Sequence, residues 1–122
     1  MEPQAKQLAM EMAQHLFDKR AQNILALDVS KLTILTDVML ICSGRSTIQV
    51  RALYEELEKR SGELGICPRR KEGVSEGRWI VLDYENVIVH IFHEQERGYY
   101  NLERLWMDGT NQIELPFTQT AG

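Results

Sequence analysis

Two strand-forming runs, Trp79-Ile80-Val81-Leu82-Asp83-Tyr84 and Val87-Ile88-Val89-His90-Ile91-Phe92, are separated only by Glu85-Asn86. A two-residue spacer between such runs predicts a β-hairpin, with Asn86 supplying the positive φ that tight hairpin turns require. The loop length then pairs Tyr84 with Val87, Leu82 with Val89 and Ile80 with Ile91. Because side chains alternate along a strand, these six residues share one face, and that face is apolar. The other face carries Trp79 beside Phe92, Val81 beside His90 and Asp83 beside Ile88. The first face is therefore expected to cover a core. The second combines an indole, an imidazole and a carboxylate with aliphatic side chains. It reads either as a surface covered by a helix, with His90 making one buried hydrogen bond, or as a binding surface of aromatic anchors ringed by polar groups.

The remaining chain supplies partners for the core face. Leu8, Ala9, Met12, Ala13, Leu16 and Phe17 recur at helical spacing, predicting a helix from about residue 3 to 20. Residues 24–29 and 38–42 read as short strands. Ser46-Thr47-Ile48-Gln49 has the form of a capping box. The helix behind it buries Val50, Leu53, Tyr54 and Leu57 and ends at Gly62 and Gly65. A glycine-rich stretch over residues 62–78 contains Arg69-Arg70-Lys71, with a short edge strand expected near Cys67–Lys71. A last helix is expected over about residues 94–108, stopped by Gly109. The sequence predicts one domain over residues 1–109 and a loosely attached tail over 110–122. The fold class is α/β: a mixed sheet with helices packed on it.

Charge and cysteine usage narrow the function. Fourteen Lys and Arg against eighteen Asp and Glu leave a net charge of −4. A protein that wraps a nucleic-acid backbone usually carries a basic surplus, so DNA and RNA are not the expected partners. Residues 79–108 hold six acids (Asp83, Glu85, Glu94, Glu96, Glu103, Asp108) and two bases (Arg97, Arg104), which favours a basic partner. Cys42 and Cys67 form no disulfide framework and no metal-binding spacing. With no signal peptide visible and no apolar run approaching a membrane span, the expected location is cytoplasmic, with no membrane partner.

No catalytic constellation emerges. Cys42-Ser43-Gly44-Arg45-Ser46 lies between a strand and a helix but lacks the glycines and lysine of a P-loop; a tight turn and an N-cap account for it. His90 and His93 stand three apart on a strand and face opposite ways, so they do not share a metal. The reading is a binding protein without metal or cofactor, and not an enzyme.

The hairpin and its surroundings resemble the ribosomal silencing factor (Iojap) family. The resemblance is carried by Leu27-Asp28-Val29-Ser30-Lys31-Leu32, Asp37 with Leu40-Ile41-Cys42-Ser43-Gly44-Arg45-Ser46, and Gln49-Val50. It continues through Gly73, Gly77-Arg78 with both hairpin strands, and Arg97-Gly98-Tyr99-Tyr100-Asn101-Leu102-Glu103-Arg104-Leu105-Trp106. It covers about residues 5–109. The chain departs from the family pattern at Val38-Met39, where an aromatic pair is usual. It departs again at Glu85-Asn86, usually Gly-Asp, and at Gly98, usually Glu.

The resemblance implies a domain similar to the nucleotidyltransferase core without its catalytic carboxylates. It implies docking on large-subunit ribosomal protein fourteen, steric blocking of subunit association, and repression of translation when nutrients are short. Trp79, Asp83, His90, Phe92, Tyr99, Tyr100 and Glu103 are the expected partner-binding residues. Two alternatives stand beside this reading: a nucleotidyltransferase-like enzyme acting through Ser43-Gly44 and Asp83, and a homodimeric scaffold that pairs its aromatic face with itself.

Overall fold

A computed structural model describes residues 3–119. Helix α1 (Pro3–Asp18) leads into strands β1 (Gln22–Asp28) and β2 (Val38–Gly44). Helix α2 (Thr47–Glu63) and the short β3 (Arg70–Glu72) follow, then β4 (Trp79–Asp83), β5 (Val87–His93) and two short helices, α3 (Glu94–Tyr100) and α4 (Glu103–Trp106). The sheet order is β1-β2-β5-β4-β3. The central pair β2/β5 is parallel and every other pair antiparallel, so the sheet is mixed.

The hairpin register is the expected one: Ile80 pairs with Ile91, Leu82 with Val89, Val81 with His90 and Trp79 with Phe92. Ile80, Leu82, Val87, Val89 and Ile91 are buried in the main core, against Ala9, Met12 and Leu16 of α1 and Val50, Leu53 and Leu57 of α2. Both long helices thus cover one face of the sheet, and the alanines of α1 let it approach closely. Pairing with β1 on one side and β5 on the other makes β2 an interior strand of the sheet, and all seven of its residues are buried.

Four local expectations are corrected. The positive φ of the hairpin turn falls on Glu85 (φ 76), not Asn86; the Asp83 carboxylate accepts from the Glu85 N–H at 2.8 Å and holds that conformation. In the α2 cap, Ser46 Oγ accepts from the Gln49 N–H as expected, but the Gln49 side chain reaches one residue further back, to the Arg45 N–H. The expected helix over 94–108 is two helices, broken at Asn101, whose φ of 48 is left-handed. The tail is docked, not loose: the Ile113 N–H donates to the Ala26 carbonyl and the Asp28 N–H to the Asn111 carbonyl. Ile113 is buried and Phe117 stacks on Phe17 at 4.2 Å. The tail therefore covers the otherwise open edge of β1, the part of a sheet most prone to stray pairing. Residues 120–122 lie outside the described residues. Among the described residues no helix is long and apolar enough to cross a membrane.

Candidate functional site

The face of the sheet opposite α1 and α2 carries the second set of hairpin residues. Under β1 and β2 it is sealed by a small apolar cluster, Leu27, Val29, Met39, Ile41 and Phe92, onto which Leu102 and Trp106 pack. Towards β4 an aromatic group takes over. Trp79 stacks on Phe92 at 4.8 Å and meets Tyr100 at 5.0 Å, and Tyr100 meets Tyr99 edge-on at 5.1 Å. Such offset and edge geometries satisfy the ring quadrupoles. Tyr99 and Tyr100 are 82% and 51% exposed, so the group ends in two rings that face solvent.

His90 sits beneath them. The Trp79 Nε1–H donates to His90 Nδ1 at 3.0 Å, so the neutral ring carries its own proton on Nε2. That Nε2 is buried and has no partner among the described residues, and burial pushes the imidazole down to about 4. His90 is thus a neutral support for the indole.

The expected binding residues therefore divide. Trp79, His90, Phe92, Tyr99 and Tyr100 form one continuous group, with Phe92 and His90 as its floor and the tyrosines as its rim. Asp83 lies four residues from Trp79, about 13 Å along the strand. Its carboxylate is occupied by Arg69 Nε at 3.3 Å and the Glu85 N–H. Glu103 is turned inward, taking Arg97 Nε at 2.9 Å. With Arg78–Glu96 at 3.3 Å as well, three of the six acids of residues 79–108 are in ion pairs within the chain. The acid surplus facing a partner is accordingly smaller than the residue count suggests.

Arg97 is the residue that the sequence reading missed. Its guanidinium binds Glu103, Ser43 Oγ and the Asn23 carbonyl. Glu103 is six positions away, a spacing that brings no two side chains together on a continuous helix, so no periodic signal marks the pair.

The geometry separates the two halves of the enzymatic alternative. Asp83 pairs with Ile88 and, through it, with Met39, four residues before Ser43 on β2. Ser43 Oγ is held by Arg97. The buried Cys42 thiol is pushed up to about 12, which keeps it protonated and unreactive. Among the described residues no group of three or more His, Cys, Asp or Glu side chains is placed to hold a metal ion.

These features define a class: a single-domain α/β protein with helices on one face of a mixed sheet and an aromatic group rising from the other. Residues 2–121 match the family model described as ribosomal silencing factor during starvation, and the chain belongs to that family. It is 47% identical to the ribosomal silencing factor of Bacillus subtilis over 91 residues, 75% of this chain and 77% of that one. A crystal structure of a protein from Bacillus halodurans superposes with a TM-score of 0.77 at 39% identity, covering 93% of this chain and 100% of the other. A protein from Chromobacterium violaceum gives 0.82 at 30% identity, over 97% and 95%. The family's names describe a regulatory factor acting on ribosomes rather than an enzyme.

Proposed function

We propose that this protein silences translation by docking its aromatic sheet face on a protein of the large ribosomal subunit, ribosomal protein fourteen, at the surface where the small subunit joins. The observation that carries the reading is the pair of exposed rings, Tyr99 and Tyr100, set on a packed floor of Trp79, His90 and Phe92. Large aromatic side chains held in place before contact lose little freedom on binding, which is how interface hot spots arise. A body of 14.1 kDa seated there blocks subunit joining by its volume alone and needs no chemistry. The reading places the protein in the cytoplasm, where ribosomes assemble. The test is co-sedimentation with isolated ribosomal subunits. Pelleting with large subunits and not with small ones is the expected result, as is reduced formation of joined ribosomes. Equal pelleting with both, or with neither, would overturn the proposal.

A further inference from the structure

Neither α3 nor α4 has a fully buried residue, and at seven and four residues neither is long enough to persist on its own. Yet this segment carries both exposed tyrosines. Leu102 and Trp106 hold its second half against the sheet; its first half is held by Arg97. That side chain is only 12% exposed. Its planar fork reaches Glu103 Oε2 at 2.9 Å with Nε, and Ser43 Oγ at 2.8 Å and the Asn23 carbonyl with one terminal nitrogen. The Arg97 carbonyl meanwhile accepts from the Asn101 N–H at 2.8 Å, at the left-handed break itself. One residue thereby joins the end of β2, the irregular start of β1, α3 and the first residue of α4. Tyr99 and Tyr100 are among the five residues, 98–102, that lie inside the loop closed by the Arg97–Glu103 pair.

We propose that Arg97 is the positioning residue of the docking face: by clamping Glu103, Ser43 and Asn23 it fixes the break at Asn101 and so holds Tyr100 against Trp79, with Tyr99 edge-on to Tyr100. This rests on the docking role assigned to that face. A lysine cannot replace the guanidinium, because an ammonium presents a point charge where three acceptors need a planar fork.

The test uses the full chain with Arg97→Ala, Arg97→Lys and, as a variant that keeps shape, Glu103→Gln. In the free protein, amide hydrogen exchange over residues 99–106 is expected to quicken about tenfold or more in all three, with the β2 and β5 amides unchanged. Unchanged exchange over 99–106 would overturn the clamp. Binding to isolated large subunits is then measured in a double-mutant cycle with Tyr100→Ala. Each single substitution is expected to weaken binding about tenfold, and the double no more than the weaker-binding single. Arg97→Ala binding like wild type while Tyr100→Ala is impaired, or fully additive losses, would overturn the inference. Tyr100→Ala binding like wild type would instead remove the docking role of the face and this inference with it, whatever the exchange data say of the clamp.

Discussion

Acidification is expected to cost this protein stability through His90. Burial holds the folded imidazole at about 4, against an ordinary value of 6.5. Between those values the unfolded chain takes up a proton that the folded chain refuses. The unfolded state therefore binds more protons, and stability falls as the pH drops through the window. The full gap corresponds to about 3 kcal/mol, most of it lost by about pH 4.5. Urea denaturation of wild type and His90→Phe at neutral pH and at about pH 4.5 isolates the effect. At neutral pH the variant leaves the Trp79 N–H without its acceptor and is expected to be less stable by about 1–3 kcal/mol. At the lower pH the wild type alone has lost its share, so the difference closes or reverses. The carboxylates of Asp28, Glu56 and Asp108, held low by hydrogen bonds from Ser30, Lys19 and Thr110, titrate in both proteins and cancel. A difference that does not change with pH would show that His90 takes up its proton equally in the folded and unfolded chain.

Three further outcomes follow from the packing. Leu82→Asp is expected to unfold the protein, because it sets an unpaired carboxylate in the fully buried face at a cost of several kcal/mol; circular dichroism reads this, and a folded variant would contradict the placement of Leu82. Gly73→Ala is expected to destabilise by about 1–3 kcal/mol, since φ is +78 and the new Cβ would stand 2.0 Å from the Trp79 carbonyl oxygen; an unchanged melting temperature would show that the loop yields freely. Phe117→Ala is expected to cost about 1 kcal/mol by removing the stack on Phe17 and to quicken amide exchange at Ile113; unchanged exchange there would mean that the tail docks without this ring.

What the sequence disclosed depended on the range of the interaction. The hairpin register was legible because period-two alternation and a two-residue spacer leave a single pairing that buries all of Ile80, Leu82, Val89 and Ile91 together. Shared faces followed from that register, so Trp79, His90 and Phe92 could be grouped without coordinates. The break at Asn101 was hidden because Tyr99, Leu102, Leu105 and Trp106 fit one helical stripe, and nothing local reveals that Asn101 turns left-handed. The docking of the tail is hidden for a different reason: Ile113 and Phe117 find their partners about a hundred residues back along the chain, at β1 and Phe17, and short polar-flanked segments give no sign of such contacts. Arg97 combines both difficulties. Its partners lie on three separate elements, and its pairing with Glu103 exists only because the helix breaks between them. Asp83 and Glu103 show the converse limit: the resemblance implies contact with a partner, while the ion pairs that both carboxylates make within the chain join residues too far apart in sequence, or across a helix break, for any local pattern to disclose.

Under the proposed docking, the aromatic face recognises a protein surface and not ribosomal RNA. Titration of isolated ribosomal protein fourteen and, separately, of naked ribosomal RNA tests it most directly. Saturable binding to the protein is expected. It should weaken about tenfold with Tyr100→Ala and only moderately with added salt, because no polyphosphate counterions are released. Tight, steeply salt-dependent binding to the RNA, with none to the isolated protein, would contradict the account and turn attention to Arg69, Arg70 and Lys71.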